Sequence, residues 1–207
     1  MTALQDDSQW RAPEVLGLIL AAGHSRRFGG DKRLANLGGQ TLLAATTLNL
    51  QPHVSAVTII LRHGERPEAL GLPAETDVVQ APPAPIGMGT SLAAAVSRLL
   101  VSSESRHQHC VALALMLGDM PWVSADTLHK LVAQACHDVI VRPRHQGRAG
   151  HPVIFGRQFW PALAALEGDE GARGLLKRYQ QHVVMLDVND PGILGDVDTP
   201  ADLPTLQ

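Results

Sequence analysis

The stretch that decides the fold class reads VLGLILAAGHSRRFGGDKRL and spans residues 15–34. It begins with the uninterrupted apolar run Val15–Ala21, which is typical of a strand buried on both faces of a parallel sheet. A glycine-rich basic loop follows at once. Ligands of open α/β sheets bind at the carboxyl ends of the strands, where such loops lie. The stretch therefore predicts a buried first strand that leads into a binding loop.

Strands and helices alternate along the rest of the chain. The predicted strands are Ala56–Leu61, Asp77–Gln80, Val111–Leu117, Val139–Val141, Pro152–Phe155 and Val183–Val188. The predicted helices lie near Thr41–Leu50, Gly89–Leu100, Ser124–Cys136, Arg157–Leu166 and Gly171–Gln181. This order indicates βαβ units, so we expect a three-layer α/β/α sandwich with a mostly parallel, Rossmann-like sheet. We also expect a disordered lead at residues 1–13, a single domain at residues 14–207 and a polar loop at Arg144–Gly150.

The overall charge and composition exclude several classes of function. A formal net charge of −3 and an aromatic content of 3% argue against a broad nucleic-acid surface, which needs basic charge and stacking side chains. No apolar run approaches the ~20 residues that cross a bilayer, so no membrane span is expected. The polar start of the chain lacks the apolar region of a secretion signal, and we expect a cytoplasmic protein. The expected ligands are small molecules.

The loop after the first strand is suited to phosphate. Its backbone can approach a ligand closely at three glycines, which are Gly23, Gly29 and Gly30. Its local charge is +3, from Arg26, Arg27, Lys32 and Arg33 against Asp31. Neither GxxxxGK[ST] nor GxGxxG is matched, which excludes a P-loop NTPase and a dinucleotide fold by motif. The pattern predicts nucleotidyl transfer, in which cations stabilise charge on the α-phosphate and on the leaving pyrophosphate.

Three aspartates are candidate ligands for a metal ion. Asp119 directly follows the glycine after Val111–Leu117, at the edge of the sheet where ligands bind. Asp196 and Asp198 lie two residues apart near the C-terminus and would share one face of an extended segment. Mg²⁺ takes one or two protein carboxylates and completes its octahedron with phosphate and water. Asp119 together with Asp198, or with Asp196 in its place, is therefore the candidate metal pair.

These motifs together resemble the MobA-like nucleotidyltransferases. The signature AAGxSxRxGxxK is matched from Ala21 to Lys32, and GDMP (118–121) and DVDTPADL (196–203) follow in the family's order. The resemblance implies a fold of the nucleotide-diphospho-sugar transferase type and Mg²⁺, or Mn²⁺, as cofactor. It implies catalytic roles for Arg27 and Lys32 on the triphosphate and for Asp119 on the metal. It also implies Asp198 as the second metal ligand, with Asp196 as the alternative. The implied nucleotide contacts are Leu20, Ala21, Ala22, Gly23, Ser25 and Arg26.

Two further segments resemble the branch that contains the molybdenum cofactor cytidylyltransferases. The segment PIGMGTSL, residues 85–92, implies nucleotide contacts at Gly89 and Ser91. The acceptor contacts implied by RAGHPVIF and GDEGARGLL are Arg148, His151 and Arg173. A molybdopterin-type phosphomonoester is the acceptor that this branch implies.

The first four residues of the loop signature bear on the choice of base. Guanylyl-transferring relatives typically carry LAGG where this chain has LAAG at residues 20–23. A side chain close to the base excludes a purine by size, so the resemblance implies CTP as the nucleotide substrate.

Two other interpretations stay open. One is another nucleotidyltransferase of the same fold, which uses GTP or acts on a sugar phosphate or another phosphate. The other is a non-catalytic chaperone that delivers the cofactor to a molybdoenzyme, for example one of the xanthine dehydrogenase type. The intact Arg27, Lys32 and Asp119 argue for catalysis, and delivery is compatible with it.

Overall fold

The computed structural model describes residues 13–25, 27–83 and 87–203. The strands in these ranges are β1 (Val15–Leu20), β2 (Asn36–Leu37), β3 (Gln40–Thr41), β4 (Ala56–Leu61), β5 (Asp77–Gln80), β6 (Ala112–Leu117), β7 (Ile140–His145), β8 (Arg148–Ala149), β9 (Val153–Gly156) and β10 (Val183–Asp187). The helices are α1 (Leu42–Leu50), α2 (Met88–Val101), α3 (Ser105–Gln108), α4 (Ala125–Ala133), α5 (Trp160–Ala164) and α6 (Arg173–Arg178). The lead predicted at residues 1–13 lies outside the described residues, apart from Pro13.

One large sheet carries the fold, with the strand order β10-β7-β9-β6-β1-β4-β5 and β8 paired to β7. Strand β1 is parallel to both β4 and β6, and β10 is parallel to β7. Strand β9 is inserted antiparallel between β6 and β7. From β1 the chain moves outward to β4 and β5 and then returns to β6 on the other side. Such a reversal opens a ligand crevice outside the carboxyl ends of the two central strands.

The sheet is covered by helices on both faces, as predicted. Leu18 of β1 packs in one cluster with Leu92 of α2, whereas the next residue, Ile19, packs in another with Leu43 of α1. All four side chains are fully buried, and burying one such side chain contributes about 1.5–3 kcal/mol. Because both faces of β1 are covered, the strand reads as a continuous apolar run.

Side-chain hydroxyl groups cap the N-termini of two helices. The hydroxyl of Thr41 accepts a hydrogen bond from the N–H of Ala44 at the start of α1. The hydroxyl of Ser124 accepts one from the N–H of Thr127 at the start of α4, which confirms the predicted helix start at Ser124.

The longest helix of the described residues is α2, with 14 residues. A membrane span needs about 20. Accordingly, no helix in the described part of the chain is long and apolar enough to cross a membrane.

One local prediction is wrong. The segment Arg144–Gly150 is not a loop, because β7 continues to His145 and β8 pairs back onto it as a hairpin. The turn uses Gly147 in the left-handed region, at a φ of 79°, which costs glycine little. Further along, a short 3₁₀ helix begins at Pro200 and has Thr199 as its N-cap. Asp198 therefore keeps its carboxylate for other partners.

Candidate active site

The carboxyl ends of β1 and β6 border a cavity of about 740 Å³, which we call the first cavity. Its lining residues are Leu20, Ala21, Ala22, Gly23, His24, Ser25, Arg27, Lys32, Arg33, Gly87, Met88, Ser91, Leu117, Gly118, Asp119 and Asp169. Most of the predicted nucleotide contacts thus border one space. Arg26 lies outside the described residues, and Gly89 is not part of the lining.

A docked C-terminal segment brings distant carboxylates together. The N–H of Val197 donates to the carbonyl of Asp119 at 3.1 Å, which places the neighbouring Asp198 beside the end of β6. The ammonium of Lys32 lies 2.5 Å from Asp119 Oδ2 and 3.3 Å from Asp198 Oδ1. The guanidinium of Arg27 lies 2.9 Å from the other oxygen of Asp198. The structure therefore joins four predicted site residues in one cluster.

The charges of this cluster are partly shielded from water. The Asp119 side chain is only 13% exposed, and burial raises its pKa although Lys32 opposes this effect. Burial also opposes the charge of Lys32, but Asp119 and Asp198 outweigh it and raise the pKa of the ammonium. Asp119 Oδ1 is buried and has no hydrogen-bond partner among the described residues. A cation-binding oxygen is therefore still available.

The donor set fits a divalent cation that is shared with substrate. Asp119 and Asp198 already converge on one cation, the Lys32 ammonium, and Asp119 has its second oxygen to spare. Asp196 is exposed but lies close enough to raise the pKa of Asp119. In the described residues no group of three or more histidines, cysteines or acids could enclose a metal. A two-carboxylate site of this kind suits Mg²⁺, which leaves most of its coordination to water and phosphate.

Arg33 does not belong to the charge that the loop offers to phosphate, contrary to the prediction from sequence. Its side chain is 3% exposed, and all five of its donor N–H groups are used within the protein. They donate to the carboxylates of Asp31 and Glu65 and, at 2.7 Å, to the carbonyl of Ala21. Two acids neutralise this guanidinium, so the charge that the loop offers to a ligand is smaller than the sequence count.

Two arginine side chains donate hydrogen bonds to backbone carbonyls of the binding loop that follows β1. Arg33 binds the carbonyl of Ala21, and Arg62 binds the carbonyl of Gly23 at 2.6 Å. In a trans peptide the carbonyl and the following N–H point in opposite directions. The N–H groups of Ala22 and His24 are therefore turned away from the arginines, as is needed for backbone donors to a phosphate. Sequence reasoning missed Arg62, because the contact spans the β1–β4 strand pair.

The acid stability of the protein should depend on Asp31. Hydrogen bonds from Arg33 outweigh burial and hold the pKa of this carboxyl at about 2, below its ordinary 3.8. A carboxyl whose folded pKa is depressed stabilises the fold above its unfolded pKa, and this stabilisation is lost as the pH falls from about 4 to about 2. We expect Asp31→Asn to remove this part of the pH dependence, measured by urea unfolding at about pH 5 and about pH 3. An unchanged dependence in the variant would contradict the assignment.

The backbone at the start of α2 forms hydrogen bonds with other parts of the chain. The N–H groups of Gly89 and Thr90 donate to the carbonyl of Gly168, at 2.9 and 3.3 Å. A Cβ at Gly89 would lie 2.7 Å from the carbonyl oxygen of Glu167, so the close approach requires glycine. The hydroxyl of Ser91 donates to the carbonyl of Gly87. The N–H groups of Gly89 and Thr90 thus join α2 to the loop before α6, whereas the Ser91 bond stays within the start of α2. Gly87 and Ser91 also border the first cavity, and Gly89 does not.

A second cavity of about 740 Å³ adjoins the first, and Leu20, Met88 and Leu117 line both. It contains two of the predicted acceptor residues, His151 and Arg173. Its other lining residues are Leu115, Arg142, Val153, Phe155, Glu170, Ala172, Leu176, Lys177, Gln180, Val183 and Met185. The structure does not bring the third predicted acceptor residue, Arg148, to this lining, since Arg148 lies exposed on the β7–β8 hairpin.

Two polar side chains of the second cavity have buried atoms without hydrogen-bond partners among the described residues. The Nδ1 atom of His151 is buried without a hydrogen-bond partner, as is the Nε atom of Arg142, among the described residues. Burial lowers the pKa of His151, and the charge of Arg142 lowers it further against a hydrogen bond with Leu115. Sequence reasoning missed Arg142 and Lys177. A basic residue in a mostly buried strand was the available signal for Arg142.

Comparison with known proteins gives a consistent family assignment. The model of the MobA-like NTP transferase domain matches residues 17–183. The purine catabolism protein PucB of Bacillus subtilis is 31% identical over 203 residues, covering 92% of this chain and 94% of that protein. A protein named molybdenum cofactor guanylyltransferase, from Photobacterium profundum, is 26% identical, covering 93% of this chain and 95% of its own.

Solved structures agree with these relatives. A homologue of Mycobacterium tuberculosis Rv0371c from Mycobacterium sp. strain JC1 superimposes with a TM-score of 0.76 at 30% identity, covering 91% of this chain and 92% of that one. Rv0371c itself, in complex with manganese, superimposes with a TM-score of 0.68 at 27% identity, covering 94% and 95%. The fold and the sequence family therefore agree over nearly the whole chain.

Proposed function

The chain belongs to the family of MobA-like NTP transferases, and on this premise we propose that it transfers CMP from CTP to a molybdopterin-type phosphomonoester. The observation that carries the proposal is the pair of adjoining cavities. The first has the glycine loop, Arg27 and Lys32, which suit a triphosphate. The second has apolar walls and basic side chains, which suit a phosphorylated acceptor. They adjoin at Leu117, two residues before Asp119.

In the proposed reaction an acceptor phosphate oxygen attacks the α-phosphorus of CTP. The new bond joins the two phosphates, the α–β bond breaks, and pyrophosphate leaves with the electron pair. Arg27 and Lys32 bind the triphosphate and neutralise the charge that grows on the leaving group. The attacking phosphate is already ionised, so no general base is needed. The remaining contribution of the chain is to hold both substrates in line.

Asp119 and Asp198 are the proposed ligands for Mg²⁺ or Mn²⁺, with Asp196 as the alternative to Asp198. When bound, the ion would supply neutralisation of phosphate charge in this site. Two features support the site: the unpartnered Asp119 Oδ1 and the convergence of both carboxylates on Lys32. The similarity to Rv0371c, which has been crystallised with manganese, also supports it.

The choice of CTP should depend on Ala22. This residue lines the first cavity, and we propose that its methyl group limits the space for the base. A methyl group in a pocket is worth about 1–3 kcal/mol in discrimination, or 10–200-fold. We expect Ala22→Gly to raise the ratio of GTP to CTP use at least about tenfold. The measurement is pyrophosphate release with each nucleotide and the acceptor.

Two comparisons make this test decisive. Ala74→Gly, at an exposed turn, is the matched control and should leave the ratio unchanged. Equal use of GTP and CTP by the wild type would overturn the cytidylyl proposal. Preferential use of GTP would favour guanylyl transfer, which is the activity in the name of the Photobacterium relative.

Delivery of the product to a molybdoenzyme is compatible with this function. The similarity to PucB, named for purine catabolism, supports a recipient that acts on purines, of the xanthine dehydrogenase type. A purely non-catalytic chaperone is less favoured, because it would not need the cluster of Lys32, Asp119 and Asp198.

A further inference from the structure

The basic residues of the two cavities differ in how they are paired. In the first cavity Arg27 and Lys32 both form ion pairs with carboxylates. In the second cavity Arg142, Arg173 and Lys177 form no ion pair with any described residue. Unpaired cations gathered in one cavity are suited to an anionic ligand.

Arg142 is the least exposed of these three residues: it is half-buried, whereas Arg173 and Lys177 are exposed. Its Nε atom is completely buried and has no hydrogen-bond partner in the described part of the chain. A buried polar atom without a hydrogen-bond partner carries a free-energy cost, and burial accordingly lowers the pKa of the guanidinium. A bound anion would remove that cost, and a guanidinium offers an anion two parallel N–H donors.

The register of the sheet shows where Arg142 lies relative to the reacting end. Leu115 of β6 is paired with Val153 of β9, and Arg142 of β7 is paired with Met185 of β10. Continuing the β7–β9 register places Arg142 opposite Val153, so all four residues form one row across the sheet. All four also line the second cavity. Two strand spacings, about 10 Å, therefore separate the backbone of Arg142 from β6, which leads to Asp119.

His151 also lines the second cavity. Its Nδ1 atom is buried and has no hydrogen-bond partner among the described residues, so the cavity holds a second unpartnered polar atom besides the Nε atom of Arg142.

We propose that Arg142, assisted by Lys177 and Arg173, binds a second anionic group of the acceptor, apart from the phosphate that attacks CTP. This proposal rests on the proposed function. The acceptor would be anionic at both ends: its phosphate lies near Asp119 and its other anionic group lies near Arg142. Its body would rest on the apolar row formed by Leu115 and Val153. The second anionic group of the acceptor would be either a dithiolate or an oxoanion.

The test compares two arginines of the same strand. Arg144 forms an exposed ion pair with Asp187 and does not line the cavity, so Arg144→Gln is the matched control. We expect Arg142→Gln to raise the KM for the acceptor at least tenfold over the control, with the KM for CTP unchanged and partial recovery in Arg142→Lys. An acceptor KM equal to that of the control would overturn the proposal. Running the assay with molybdenum-free and molybdenum-loaded acceptor tells a dithiolate from an oxoanion.

Anion binding without turnover separates this proposal from the proposed function. Titration calorimetry with molybdate, or with inorganic phosphate, should show a binding event in wild type and in Arg144→Gln that Arg142→Gln weakens at least tenfold. If this difference is seen but wild type transfers no CMP, the anion site stands and the proposed function fails. If wild type transfers CMP but the variants bind anions alike and share one acceptor KM, the anion site fails and the proposed function stands.

Discussion

Replacing Asp119 with asparagine should lower kcat for nucleotidyl transfer at least about 1000-fold. The Oδ2 atom of Asp119 holds Lys32, and its buried Oδ1 atom has no partner among the described residues, so both oxygens are placed for cations. An amide has the same shape but offers one oxygen and no charge. Metal titration by Mn²⁺ electron paramagnetic resonance should show weaker binding in parallel with the lost turnover.

The stability of this variant should stay close to that of the wild type. Burial raises the pKa of Asp119, which means that folding disfavours its charged form. Removing the charge relieves this cost, and Lys32 keeps Asp198 as a partner. Asp126→Asn, in an exposed ion pair on α4, is the control and should leave turnover unchanged. Asp119→Asn with near-normal turnover would refute the catalytic assignment.

Replacing Arg33 with methionine should lower the free energy of unfolding by about 3–5 kcal/mol, although Arg33 itself touches no proposed substrate atom. The change leaves the carboxylates of Asp31 and Glu65 with only Arg62 as a cationic partner. It also releases the carbonyl of Ala21, so the binding loop loses one of its two arginine contacts. Urea unfolding at neutral pH measures the loss of stability.

The matched control for this variant is a surface arginine with one acidic partner. Arg98→Met breaks an ion pair with Asp77 in which the arginine side chain is 45% exposed, and such pairs contribute about 0–1 kcal/mol. If the two substitutions lowered stability equally, the network around Arg33 would be no more than a surface feature. At a temperature where Arg33→Met remains folded, the KM for CTP should rise, because the loop is less well ordered.

The acidic and basic side chains of the first cavity neutralise one another. Lys32 lies between the two carboxylates that are the proposed metal ligands. The carboxylates of Asp119 and Asp198 therefore have cationic partners before any ligand binds, which limits the cost of burying Asp119.

Several elements could be predicted from sequence because their causes are local. β1 is recognisable because a strand covered on both faces must be apolar throughout. The start of α4 is recognisable because Ser124 supplies its own cap. The β7–β8 hairpin was missed because the polar residues on β7 resemble a loop until the pairing with β9 and β10 is known. Arg33 was misassigned because charge can be counted in a sequence but ion pairing cannot.

The sequence by itself determined the alternation of strands and helices, the nucleotidyltransferase family and the four residues Arg27, Lys32, Asp119 and Asp198 as candidates for one site. Each of these depends on residue type and spacing along the chain. The tertiary structure alone decided which charges face a ligand. It turned Arg33 inward onto two acids, joined Asp198 to Asp119 through the docked Val197, and left Arg142 without a partner. The physical reason is that burial and ion pairing depend on side chains from distant strands, whose positions only the packed sheet brings together.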